Sequence, residues 1–211
     1  MKKICVICEG QTEAEFVNTC LKPWLLAFNV HAIPKDLGGN VSVERLARFV
    51  DLHYHKTSPR ITTLVDYYGF KDLDGRNEAT LLSDIANAAI EKITRHDPKA
   101  DLRCVFPYVQ MHEFEALLFS DCGKFYDVFE NDSFAPADVD KLNAVRNIFE
   151  SPEKINNSHS TAPSKRIKQI YPAYNKVKHG PRIAFETGLE TIMRECPKFK
   201  NWIETLQTWG M

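Results

Sequence analysis

The chain has 211 residues, 44% of them apolar and 26% charged, with a formal net charge of −1. That length suits one α/β domain, or one with a modest appendage, and buries a full core without staples. No window approaches the roughly 20 apolar residues that span a bilayer, and Met1-Lys2-Lys3-Ile4 enters too short an apolar run for a signal peptide. The expected location is therefore cytoplasmic, with no membrane partner.

Lys3-Ile4-Cys5-Val6-Ile7-Cys8 is a continuous apolar run, β-branched in part, and reads as a strand buried on both faces. It ends in the acidic turn Glu9-Gly10-Gln11-Thr12-Glu13. Thr12 and Glu15 have the spacing of a capping box. Phe16, Val17, Cys20, Leu21, Trp24, Leu25 and Phe28 follow at helical spacing, and Pro23 is expected to kink or split that helix. A short strand is predicted over Asn29–Pro34 and a helix over Val43–Tyr54. Ile61-Thr62-Thr63-Leu64-Val65 is a strong strand signal running into Asp66-Tyr67-Tyr68-Gly69-Phe70. A long helix fits Glu78–Arg95. Leu102–Val109 reads as a further strand, with Pro107 marking an edge or a bend. Strand and helix thus alternate, which implies a mostly parallel sheet flanked by helices over residues 1–120. Residues 121–211 read as a helical C-terminal extension packed on that core. Its predicted helices are Pro136–Ile148, Ser164–Lys176, Arg182–Arg194 and Lys198–Trp209.

The six cysteines include one C-x-x-C, Cys5 and Cys8, inside the first strand. A zinc site would offer a second pair and a redox pair would open a helix, so buried thiols are the expectation. Charge is unevenly spread. Residues 1–140 carry 15 basic and 22 acidic side chains, and residues 141–211 carry 12 and 6. The segment Ser164 to Arg182 has Lys165, Arg166, Lys168, Lys176, Lys178 and Arg182, no acidic residue, and Tyr171 and Tyr174 between them. Basic groups interleaved with aromatics fit phosphate contacts and base stacking, and equally a solvated helix face.

Three acidic signatures follow predicted parallel strands: Glu9, Asp66, and the pair Glu113 and Glu115. Ligands of open α/β sheets bind outside the carboxyl ends of strands. Carboxylates gathered there repel unless a cation joins them, and Mg²⁺ takes oxygen ligands while keeping water for a phosphate. This points to metal-assisted phosphoryl chemistry. Asp72 and Asp74, in the polar loop that follows, read as solvated turn residues with a lesser claim as ligands.

Taken in order, Cys8-Glu9-Gly10-Gln11-Thr12-Glu13, Asp66-Tyr67-Tyr68-Gly69-Phe70 and His112-Glu113-Phe114-Glu115-Ala116-Leu117-Leu118-Phe119-Ser120-Asp121 resemble the domain of unknown function 4276 family. So do Pro163-Ser164-Lys165-Arg166-Ile167 and Cys196-Pro197 with Phe199 and Trp202. That family is similar to Toprim domains, found in topoisomerases, primases and overcoming-lysogenization-defect nucleases. The resemblance implies a Toprim-like fold and a site with a Glu after the first strand and an Asp-x-Asp after a later one, together holding Mg²⁺ (or Mn²⁺). Glu9 matches the Glu and Asp66 the first Asp. Tyr68 stands where the second Asp belongs, and Glu113 or Glu115 is the candidate to replace its oxygen.

The expected activity is a Mg²⁺-dependent nuclease or related phosphodiester-processing enzyme. Glu9, Asp66 and Glu113 would hold the metal, Lys165 and Arg166 would neutralise the phosphate, and Glu115 or His112 would manage a proton. DNA or RNA is the expected partner. The resemblance extends this to bacterial defence or mobile-element conflict, beside an ATPase partner protein. The alternatives are a catalytically inactive module that binds nucleic acid or a partner protein, and an enzyme using the same edge on a small phosphoester.

Overall fold

The computed structural model describes residues 1–58, 60–71, 73, 75–129, 134–156 and 159–211. Asp72 and Asp74 lie outside the described residues. Among those described, five parallel strands form the sheet: β1 (Lys2–Cys8), β2 (Val30–Asp36), β3 (Ile61–Asp66), β4 (Val105–Phe106) and β5 (Val109–Gln110). The order is β2-β1-β3-β4, with β5 taking up the pairing to β3 beyond β4. Parallel pairing requires the connections β1–β2, β2–β3 and β3–β4 to cross a face of the sheet, and helices make those crossings. The fold is thus α/β, a parallel sheet flanked by helices.

The period of two along β1 divides the core. Cys5 and Ile7 face a cluster built with Leu46 and Val50 of α3 (Val43–Lys56) and Ile85 and Ile93 of α4 (Glu78–His96). Ile4, Val6 and Cys8 face a second cluster with Phe16, Leu25, Phe114, Phe199 and Trp202. Residues on both sides of position 120 share this second cluster, so the helical C-terminal half packs directly on the sheet. All six cysteines are free and buried. Burial pushes the Cys5 thiol up to about 12, so it acts as a small apolar side chain.

Pro23 does not break its helix. α1 (Gln11–Phe16) runs into a π turn over Val17–Leu21 and then α2 (Lys22–Leu26). In the wider turn the Lys22 N–H reaches back to the Val17 carbonyl. A π turn of this kind accommodates an irregularity inside a continuing helix. Pro107 does divide its strand, into β4 and β5. Two β3 hydroxyls repair the gap: Thr62 Oγ1 donates to the Phe106 carbonyl at 2.6 Å, and Thr63 Oγ1 donates to Tyr108 O at 2.7 Å. Thr63 Oγ1 also accepts from the Tyr108 N–H at 2.9 Å.

In the C-terminal half the helices are α5 (Gly123–Phe129), α6 (Pro136–Arg146), α7 (Pro163–Ile170), α8 (Lys176–Thr187), α9 (Leu189–Glu195) and α10 (Pro197–Thr208). The expected helices Ser164–Lys176 and Arg182–Arg194 are corrected. Tyr171-Pro172 ends α7, since Pro172 disfavours helical backbone before it. Asn175 starts α8, its side chain accepting from the Lys178 N–H at 3.0 Å. Gly188, at φ 78°, ends α8. The shift makes Lys176 the first residue of a helix instead of the last. On α10, Trp202 Nε1 donates to Thr62 Oγ1 at 2.7 Å and the indole stacks on Tyr108 at 4.6 Å. Among the described residues no helix is long and apolar enough to cross a membrane.

Candidate active site

The carboxyl ends of β1 and β3 lie side by side, because Cys8 pairs with Leu64. This brings Glu9 to Asp66: Glu9 Oε2 accepts from the Asp66 backbone N–H at 3.0 Å. Gly69 lies flush against the Glu9 carboxylate, and a β-carbon there would sit 2.8 Å from Cδ and 2.9 Å from Oε1. Only glycine leaves the carboxylate where it is.

The turn after Glu9 is capped differently from the expected Thr12–Glu15 arrangement. Gly10 is the N-cap of α1, and Glu13 Oε2 accepts from its N–H at 3.0 Å. Glu13 is thereby held 2% exposed with its other oxygen turned inward. Asp66 is 3% exposed and Glu115, in the 3₁₀ turn Phe114–Ser120, is 0% exposed.

These three carboxylates meet on one cation. Lys176 Nζ stands 3.0 Å from Asp66 Oδ2, 3.4 Å from Glu115 Oε2 and 3.6 Å from Glu13 Oε1. Tyr174 steadies the far oxygen of Glu115, its hydroxyl 3.5 Å from Oε1. Glu13 Oε1, Asp66 Oδ1 and Glu115 Oε2 are buried and have no hydrogen-bond partner. The ammonium is thus the principal compensation for three buried carboxylates.

Burial dominates the electrostatics of the cluster. Burial raises Asp66 well above the ordinary carboxylate range; Lys176 opposes this while Glu13, Glu9 and Glu115 add to it. Burial likewise raises Glu9, against the bond from the Asp66 N–H. Glu115 is pushed up to about 7, again chiefly by burial and against the pull of Lys176. For Lys176 burial favours the neutral amine, but Asp66, Glu115 and Glu13 outweigh it and hold the proton on.

The other residues singled out in the sequence take different places. Glu113 does not reach Lys176; its Oε2 accepts from the Ser164 N–H at 2.8 Å. The start of α7, anticipated as a phosphate site beside Lys165 and Arg166, therefore already holds the protein's own carboxylate. Lys165 is exposed, while Arg166 donates to the Thr161 carbonyl at 2.8 Å and lies 5.4 Å over the Phe149 ring. Neither meets the carboxylates. His112, at φ 66°, packs against Tyr68 at 5.4 Å, with Nδ1 3.2 Å from the Asn156 amide. The Tyr68 hydroxyl bonds that same amide. The ring that replaces the second Asp thus turns towards His112 and Asn156.

Glu13, Lys176 and Gly69 escaped sequence reading. Glu13 follows Glu9 by one helical turn, a spacing that would have marked it. Lys176 was visible only as one base among six, although Asn175 before it carries a capping signal. Gly69 read as turn chemistry.

A metal suits this chemistry in part. Hard carboxylate oxygens with unfilled acceptor capacity fit a divalent cation such as Mg²⁺. Among the described residues, however, no group of three or more His, Cys, Asp or Glu side chains forms a ready cage for an ion. The point where the carboxylates converge is the Lys176 ammonium.

Comparison with known proteins places the fold. A family model described as Domain of unknown function (DUF4276) matches residues 8–207. The C-terminal region of the Burkholderia pseudomallei OLD protein is similar over 100% of both chains, with 12% identity and a TM-score of 0.53. The C-terminal region of the Xanthomonas campestris pv. campestris OLD protein, phased with iodine, is similar over 100% of this chain and 96% of its own, with 13% identity and a TM-score of 0.51. At such identities the likeness is one of fold. No curated protein matches the chain.

Proposed function

The chain belongs to the family described as Domain of unknown function (DUF4276), and from that premise we propose that it is a divalent-metal-dependent phosphodiesterase acting on nucleic acid, a nuclease. The observation that carries this reading is the meeting of Glu13, Asp66 and Glu115 on Lys176 beside the carboxyl ends of parallel strands, with Asp66 Oδ1 left without a hydrogen-bond partner. Carboxyl groups buried around a single ammonium are costly to keep and are useful where a cation and a phosphate must be brought together.

Glu9, Glu13 and Asp66 would hold the ion, Mg²⁺ or Mn²⁺. When bound, the ion polarises a phosphoryl oxygen and acidifies a water. The remaining work falls to the chain. Lys176, a third exposed, presents its ammonium to the charge of the scissile phosphate as well as to the carboxylates. Glu115, near 7, has the affinity to take or give a proton at neutral pH. Tyr174 orients it. Gly69 keeps Glu9 seated. Lys165 sits on the exposed start of α7 and adds general attraction for a polyanion. The reading carries with it a cytoplasmic setting and, by family likeness alone, a role in bacterial defence beside an ATPase partner.

The test is cleavage of DNA and RNA with Mg²⁺ and with Mn²⁺, comparing wild type with Glu9→Gln. Metal-dependent cleavage by wild type that the variant loses is the expected result. Equal activity in both would remove the site. Tyr68 at the second-Asp position favours a second reading, an inactive module that binds nucleic acid. Tight, salt-sensitive binding with no cleavage would establish it.

A further inference from the structure

The helical segments that supply Glu13 and Lys176 also carry the two walls of a surface groove. Glu15 and Thr19 line one wall; Val177, Lys178, Pro181, Arg182 and Phe185 of α8 line the other. Its volume is about 410 Å³, within the range of about 300–1,000 Å³ typical of ligand sites. Gly180 of α8 packs towards α1: a β-carbon there would meet the Tyr174 hydroxyl at 3.2 Å and Thr12 Cγ2 at 3.4 Å, the latter an ordinary contact.

The groove surface is unusual in two respects. Phe185 is 59% exposed and Val177 48% exposed, large apolar groups left in water. Lys178 and Arg182 are exposed, and neither makes an ion pair among the described residues, whereas many surface cations do. One helical turn separates them, and Phe185 follows Arg182 by three residues, so all three share a face of α8.

We propose that this groove is a track for single-stranded nucleic acid on the same two helical segments that supply the carboxylate–lysine cluster, so that the substrate class is a single strand. The proposal rests on the nuclease reading and sharpens it. Unpaired cations beside exposed aromatic surface match a strand's alternation of phosphate and base face. Lys178 and Arg182 take phosphates, and Phe185 stacks on a base. A duplex hides its base faces and gains nothing from Phe185. Glu15 repels phosphate and accepts instead from the amino group of a base.

The test is fluorescence anisotropy with a short labelled single-stranded DNA, its RNA counterpart, and a duplex of the same sequence, at several salt concentrations. Wild type should bind a single strand more tightly than the duplex. Lys178→Ala/Arg182→Ala should lower the slope of log affinity against log salt by about 1.4, at about 0.7 per phosphate. Phe185→Ala should weaken single-strand binding about tenfold or more and duplex binding little. All these side chains are exposed, so circular dichroism and unfolding should match wild type. An unchanged slope in the double variant, unchanged binding by Phe185→Ala, or a preference for duplex would overturn the track and leave the groove to a protein partner. Asp66→Asn separates the two readings. Binding retained with cleavage lost supports both, and intact cleavage by the groove variants overturns the track alone.

Discussion

Replacing Lys176 by Met tests how the cluster is balanced. The substitution keeps most of the side-chain length and removes the charge. Asp66, Glu115 and Glu13, at 3.0, 3.4 and 3.6 Å, then face one another without the ammonium. Removing one partner of a buried ion pair destabilises by about 3–5 kcal/mol. A third of the Lys176 side chain is open to solvent, which brings the expected loss to the lower end, about 3 kcal/mol. The loss must depend on pH. Lowering the pH protonates the orphaned carboxylates and relieves their repulsion, so the deficit should shrink between about pH 8 and about pH 5. Added Mg²⁺ should restore part of it, because a divalent ion can replace the lost charge. Urea unfolding of both proteins at the two pH values, with and without MgCl₂, measures all three effects. A deficit below about 1 kcal/mol that ignores pH and metal would refute the view that Lys176 balances the three carboxylates.

Glu115→Gln probes the same cluster from the acid side. The folded carboxyl sits near 7 against an ordinary 4.5, so its contribution to stability is fully present below about 4.5 and is withdrawn as pH rises through about 7. The Gln variant should gain on wild type across that window by up to about 3 kcal/mol, and unfolding titrations showing no such gain would contradict it. Gly69→Ala should disturb Glu9 through the missing space beside its carboxylate. Calorimetry should find Mn²⁺ affinity reduced about tenfold, or about 1.4 kcal/mol, with the fold intact; unchanged affinity would remove Gly69 from a positioning role. Trp202→Phe leaves Thr62 without its indole donor and should destabilise by about 2 kcal/mol, read by chemical denaturation. A loss within about 0.5 kcal/mol would show the bond to be dispensable.

Periodicity made the first half of the fold legible. β1 announces itself as an unbroken apolar run, and α3 and α4 as long amphipathic patterns, whose caps at Ser42 and Asn77 the structure adds. Pro107 signalled the break between β4 and β5. The hydroxyls of Thr62 and Thr63 that bridge it belong to tertiary structure and left no local trace. In the C-terminal half the short helices defeated pattern reading, since Tyr171-Pro172, Asn175 and Gly188 redraw boundaries within a single basic stretch. That redrawing matters for the site, because it moves Lys176 from a helix end to the start of α8, facing β3. Glu9 and Asp66 were legible because one directly follows β1 and the other ends β3. Glu115 over Glu113 was not: the choice depends on a 3₁₀ turn that buries Glu115, while Glu113 is drawn off to cap α7. Lys165 and Arg166 illustrate the same limit, since charge in sequence does not say which base turns inward.

The most direct measurement is anomalous diffraction from crystals of the protein grown or soaked with Mn²⁺. A manganese peak bounded by the carboxylates of Glu9, Glu13 and Asp66, adjoining Lys176 and absent from Asp66→Asn crystals, is the expected result. Saturating Mn²⁺ with no peak at the ends of β1 and β3, or a peak elsewhere alone, would contradict a metal-dependent site built from these residues.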